Sequence, residues 1–133
     1  MAEQRILPGT VWELSQTVTE ERTARHIGSG SERVFATPAM VGLIERACVE
    51  LMAPHLPPGR SSVGIAINVR HLAATPLGKT VRARVEVTAV EGATVSFTAE
   101  VFDEVEKVGE GEHKRAIVDV ERFLRRVRAK TGG

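Results

Sequence analysis

The chain has 133 residues, 42% of them hydrophobic and 26% charged, and its 18 basic and 17 acidic side chains leave a formal net charge of +1. That size and balance predict one soluble globular domain over residues 1–133, and the near-neutral charge with only 4% aromatic residues argues against nucleic-acid binding, which needs a basic face and stacking rings. A single cysteine excludes an internal disulfide and fits a reducing, cytoplasmic setting; no run of 18 apolar residues could span a membrane, and Met1 to Arg5 lack the apolar core of a signal peptide.

In chain order, residues 1–9 read as a leader closed by Pro8-Gly9. Thr10 to Val18 carries Val11, Trp12, Leu14 and Val18 and is expected to form the first strand. Glu20 to Ser31 is polar and ends in His26-Ile27-Gly28-Ser29-Gly30-Ser31, the composition of a flexible loop or lid. Val34-Phe35-Ala36 then leads into Thr37 to Pro54, which predicts one long helix. Thr37 is placed to cap it, and Pro38 follows where a missing N–H costs nothing. Pro54 and Pro57-Pro58-Gly59 end it. At about 100° per residue, Met40, Leu43, Ile44, Ala47, Cys48 and Leu51 share one side, which Val41 and Met52 widen. So broad an apolar arc predicts a helix covered on most sides. Glu45 borders that arc, Glu50 flanks its other edge, and Arg46 points away.

Beyond Gly59 the apolar period changes to two. Val63, Ile65, Ile67 and Val69 share one strand face, and His71 continues it. Thr75-Pro76-Leu77-Gly78 predicts a turn, Val81 to Ala89 a third strand, Glu91-Gly92 a hairpin, and Val95 to Val101 a fourth strand. A turn at Asp103 to Lys107 precedes a last strand, Val108 to Phe123, and the basic tail Arg125 to Lys130 is expected to fray. One long apolar helix followed by alternating strands is an α+β two-layer design, the plan of the hotdog fold, in which an antiparallel sheet wraps a central helix. One helix leaves a sheet edge bare, so a homodimer or higher homo-oligomer joined edge to edge is expected.

Several short runs, in register from about Phe35 to Phe123, carry a family resemblance. They are Val34-Phe35-Ala36-Thr37, Met40-Val41-Gly42-Leu43, Glu45, Ala47-Cys48, Met52-Ala53-Pro54, Gly64 to His71, Ala73-Ala74-Thr75-Pro76, Val90-Glu91-Gly92 and Gly109-x-Gly111-x-His113-x-Arg115-Ala116. In these the chain resembles the fluoroacetyl-CoA thioesterase family of hotdog proteins. The resemblance implies an acyl-CoA thioesterase with a catalytic threonine, glutamate and histidine at Thr37, Glu45 and His71. It further implies substrate contacts at Gly64, Arg115 and Phe35, and an acyl-CoA substrate handled without metal or cofactor. Where the fluoroacetyl-selective pattern has phenylalanines, this chain has Gly28-Ser29-Gly30-Ser31, so no strong preference for fluoroacetyl-CoA is expected.

The chemistry fits these residue types. Thioester hydrolysis needs a carboxylate or an activated water to attack the carbonyl, a proton shuttle, and donors for the oxyanion. Glu45, at the margin of an apolar face, suits the first role and His71 the second. Read without the resemblance, Glu45 is an exposed helix glutamate paired to a neighbour, His71 a core histidine, and Thr37 a helix cap. Cys48 lies inside the apolar stripe with no neighbouring base, as a packing residue does. His26, His55 and His113 show no metal-ligand spacing. Arg82 and Arg84 read as a solvated strand face. The alternative function is a non-catalytic acyl-CoA-binding or regulatory module on the same fold. A hydratase is weaker, because the helix offers no histidine before His55.

Overall fold

The computed structural model describes residues 5–132 of the chain; the first four residues of the expected leader and Gly133 lie outside it. Five strands form one antiparallel sheet in the order β1-β3-β4-β5-β2. They are β1 (Val11–Thr17), β2 (Arg60–His71), β3 (Thr80–Glu91), β4 (Thr94–Phe102) and β5 (Lys107–Asp119). The helices are α1 (Ala24–Ile27), α2 (Thr37–Met52) and α3 (Val120–Ala129).

The period-two pattern of β3 and β4 does what alternation predicts. Val81, Ala83, Val85 and Val87 turn inward with Val95, Phe97, Ala99 and Val101, and α2 lays Met40, Leu43, Ile44, Ala47, Cys48 and Leu51 on them. The helix touches all five strands, so the sheet wraps it in the hotdog manner. Each large side chain fully buried here stabilises the fold by roughly 1.5–3 kcal/mol. Truncating Leu43 to Ala would cost about 2–5 kcal/mol, through lost burial and the cavity left behind.

Four local expectations are corrected. The first concerns Thr37, which is the first helical residue and not the cap; Ala36 holds the cap position, with no side-chain capping bond. The second concerns the polar stretch after β1, which is folded. Glu20–Arg22 and α1 make two short helical turns, Thr23 caps α1 by accepting from the His26 N–H, and Gly28 ends it at φ 92°, a left-handed conformation that favours glycine. Thirdly, the C-terminal segment is helix, where a strand to Phe123 and a frayed tail were expected. β5 stops at Asp119, whose carboxylate accepts the Arg122 N–H at 2.9 Å and caps α3.

The fourth correction sets up the functional geometry. β2 is an edge strand, paired only to β5, and its register shifts between Gly64 and Ala66. The apolar face expected of Val63 to Val69 is therefore not buried throughout. Val69 packs on the core, but Ile65 is 53% exposed and Ile67 37%.

Candidate active site

Thr37 and His71 meet at one end of α2. The hydroxyl of Thr37 lies 2.8 Å from Nδ1 of His71. Both line an open cleft of about 410 Å³, walled by Phe35, Leu72 and Ala73 and roofed by Ala24 and Ser29 of the folded segment after β1. Phe35 is buried beneath them, its ring edge-on to the imidazole at 6.4 Å between centroids. Burial holds His71 below the ordinary imidazole value, so at neutral pH the ring is uncharged. Its Nε2 is buried with no hydrogen-bond partner among the described residues. A neutral imidazole with one nitrogen on a hydroxyl and the other unsatisfied is equipped to move a proton.

Glu45, Gly64 and Arg115 meet elsewhere. Oε2 of Glu45 stands 3.9 Å from Nη1 of Arg115, a loose ion pair in which the carboxylate side chain is 42% exposed and the guanidinium 7%. Gly64 passes directly over them. A Cβ placed on it would come within 3.0 Å of the Glu45 carboxylate and 3.3 Å of both Arg115 and His113. Glycine here serves close approach, not an unusual φ, and a methyl group would push these side-chain ends aside by a few tenths of an ångström.

A buried network holds the arginine still. Its Nε donates to the Ser62 hydroxyl at 2.9 Å and its Nη2 to the Ser62 carbonyl at 3.1 Å. Its Nη1 lies 3.1 Å from Nε2 of His113, whose Nδ1 is 2.8 Å from the Ala66 carbonyl. A carbonyl only accepts, so His113 is protonated at Nδ1 and takes the arginine's hydrogen at Nε2. Burial, with a further contribution from the adjacent Arg115 charge, lowers the His113 pKa, and the bond to Ala66 only partly opposes this. His113 was not singled out from the sequence as a site residue. The signal was present in His113-x-Arg115, since alternation puts both side chains on one strand face.

The six predicted site residues therefore fall into two groups: Thr37, His71 and Phe35 at one place, Glu45, Gly64 and Arg115 at another. Eight residues of helix, about 12 Å along the axis, separate Thr37 from Glu45. Cys48 is excluded as a nucleophile, because burial pushes its thiol up to about 12. Arg82 and Arg84 pair with Glu13 and Glu86 on the wet face, and Glu50 accepts from the Trp12 indole at 2.9 Å. No helix among the described residues is long and apolar enough to cross a membrane.

Comparison with known proteins gives concordant results. The profile of the family described as fluoroacetyl-CoA-specific thioesterase matches residues 18–121. A fluoroacetyl-CoA thioesterase of Streptantibioticus cattleyicolor is 45% identical over 120 residues, 86% of each chain. A solved structure of the fluoroacetyl-CoA thioesterase FlK superposes with a TM-score of 0.89 at 40% identity, covering 95% of this chain and 98% of that one. A hot-dog-like protein from Thermanaerovibrio acidaminovorans superposes with a TM-score of 0.88 at 28% identity, over 95% and 93% of the two chains.

Proposed function

The chain belongs to the fluoroacetyl-CoA-specific thioesterase family, and from that membership we propose that it hydrolyses a small or medium acyl-CoA thioester to the free acid and coenzyme A, with Thr37, Glu45 and His71 as its catalytic set. The observation that carries the assignment of residues is the 2.8 Å contact between Thr37 and the uncharged His71 in an open cleft. In this reading the Glu45 carboxylate either attacks the thioester carbonyl, giving a mixed anhydride that water then hydrolyses, or draws a proton from the water that attacks. The departing coenzyme A thiolate takes a proton by way of His71, which regains one from the water consumed, and the Thr37 hydroxyl, in the first turn of α2, stabilises the oxyanion at the positive end of the helix dipole. Arg115, Gly64 and Phe35 shape the substrate path.

Eight residues of helix, about 12 Å of axis, lie between Thr37 and Glu45, and the bare apolar edge of β2 supplies a reason to expect that two chains share one site. Antiparallel pairing of β2 with its copy about a twofold axis near Ile67 would cover Ile65 and Ile67. It would also bring the Gly64 end of one strand beside the His71 end of the other, so that Glu45 of one chain faces Thr37 and His71 of its partner. We take the working form to be this homodimer, in the cytoplasm, where acyl-CoA is found. The Gly28-Ser29-Gly30-Ser31 segment contributes Ser29 to the cleft wall, a small polar side chain that favours no particular acyl group. Fluoroacetyl-CoA should therefore not be strongly preferred over acetyl-CoA.

Release of free thiol from a panel of acyl-CoAs tests the reading. Turnover of short and medium chains supports it. Tight acyl-CoA binding with no turnover would favour the non-catalytic binding module instead.

A further inference from the structure

The buried Arg115 guanidinium is held at all three of its nitrogens. Nε and Nη2 fork onto the hydroxyl and carbonyl of Ser62 at 2.9 and 3.1 Å. Nη1, the atom 3.9 Å from the Glu45 carboxylate, also lies 3.1 Å from Nε2 of His113. A planar guanidinium bonded at each nitrogen cannot turn about its own stem, so the second Nη1 hydrogen is left for the carboxylate. The 3.9 Å separation is longer than a hydrogen bond. The arginine therefore sets the charge beside Glu45 without occupying the lone pairs that the reaction needs.

His113, itself buried, is fixed from two further sides. Its ring stacks on Phe97 of β4, 6.2 Å between centroids and 26° between planes, and its Nδ1 donates to the Ala66 carbonyl at 2.8 Å. Ala66 stands at the register shift of β2, two residues beyond Gly64, which passes over Glu45. One imidazole thus ties together the sheet core, the irregular point of the edge strand and the arginine beside the carboxylate. Packing on Phe97 asks only for an apolar side chain of this size. The bond to Nη1 asks for an acceptor, because a buried donor left unpaired is costly.

We propose that His113 is a positioning residue for thioester hydrolysis: Nε2 sets the Arg115 guanidinium, and through that guanidinium and the Ala66 carbonyl the ring sets where the Glu45 carboxylate meets the substrate. The inference rests on Glu45 acting in the reaction, as proposed above.

The test joins nitrogen-15 magnetic resonance of the wild type with kinetics of three variants, each checked by thermal melting. His113→Leu and His113→Phe fill the space without an acceptor, the second keeping a ring on Phe97; His113→Gln restores an acceptor and a donor. The spectra should show His113 as the Nδ1–H tautomer and the Arg115 Nη hydrogens as separate signals, the mark of hindered rotation. Whichever of His113→Leu and His113→Phe folds should lose roughly tenfold or more in kcat on acyl-CoA, with KM changing less, and His113→Gln should regain most of that rate. A neutral ring carrying its proton on Nε2, wild-type kcat without the acceptor, an effect confined to KM, or an equal loss in all three variants would overturn the inference while leaving the hydrolase reading intact. A wild type that hydrolyses no thioester would instead remove the hydrolase reading, and the spectra would still support or overturn the hold of His113 on Arg115.

Discussion

Oγ1 of Thr37 stands 2.8 Å from Nδ1 of His71, tying the first residue of the long helix to the last residue of an edge strand. Capping would have spent that hydroxyl on a backbone N–H of the helix; here it faces a cleft instead. Pro38 contributes to this, since it has no N–H to offer at the start of α2. Which of Thr37 and His71 donates follows the imidazole tautomer, and Nε2 has no hydrogen-bond partner among the described residues.

Substitutions at Thr37 separate activity from stability. Thr37 is exposed and caps nothing. Thr37→Ala should therefore change stability by no more than about 0.5 kcal/mol, the range of ordinary surface changes. Its turnover should fall by roughly 10²-fold, the lower range for loss of one oxyanion donor. Thr37→Ser, which keeps the hydroxyl, should be mild. Melting curves and steady-state rates on the same preparations check both statements; a large fall in melting temperature for Thr37→Ala would return the residue to a structural role.

Buried His113 and half-buried His71 predict an acid-side loss of stability. Both His71 and His113 are held below the ordinary imidazole value, chiefly by burial. As pH falls through about 6.5, the unfolded chain takes up these protons before the folded one does, so stability rises with pH in this window and is lost on acidification. The melting temperature should drop between pH 7 and pH 5, above the range in which carboxylates titrate. His113→Gln should flatten that slope; an unchanged slope would mean that the ring titrates freely in the folded chain.

The proposed dimer makes a complementation prediction. Glu45→Gln and His71→Ala chains, each inactive alone, should regain roughly a quarter of wild-type activity when co-refolded, because half the dimers are mixed and each of these holds one intact site. Ile67→Lys should shift the dimer towards monomer and reduce activity with it. Light scattering and thiol release read the two effects; no recovery on mixing would confine the catalytic set to single chains.

Gly64→Ala adds a methyl group against the Glu45 carboxylate, Arg115 and His113. It should leave the fold in place, because the groups it meets are the ends of side chains, and lower kcat by displacing Glu45. Wild-type kcat in this variant would show that the carboxylate position tolerates movement.

The sequence made the sheet and the central helix legible because β3, β4 and α2 are each half-buried, and their burial is written as period two and period 3.6. Val81 to Val87 and Met40 to Leu51 follow those periods. β2 carries the same alternation, yet Ile65 and Ile67 are exposed, since alternation does not reveal which strand lies at an edge. α3 was missed because Arg125, Arg126 and Arg128 drew attention to charge, while Val120, Phe123, Leu124 and Val127 repeat at helical spacing behind Asp119. At the site, residue types were readable and partners were not. Whether Thr37 caps a helix or meets His71 depends on where the end of β2, 34 residues away, is placed.

Glu45 bears most directly on the account. Glu45→Gln retains shape and hydrogen-bonding capacity and removes only the basic carboxylate, the half-exposed partner of a loose 3.9 Å pair with the buried Arg115. Thiol release from the preferred acyl-CoA, measured on a variant whose melting temperature and oligomeric state match the wild type, should fall by roughly 10²-fold or more. A correctly folded Glu45→Gln protein with near-wild-type turnover would contradict the account and leave Glu45 as a solvated side chain on the margin of the helix.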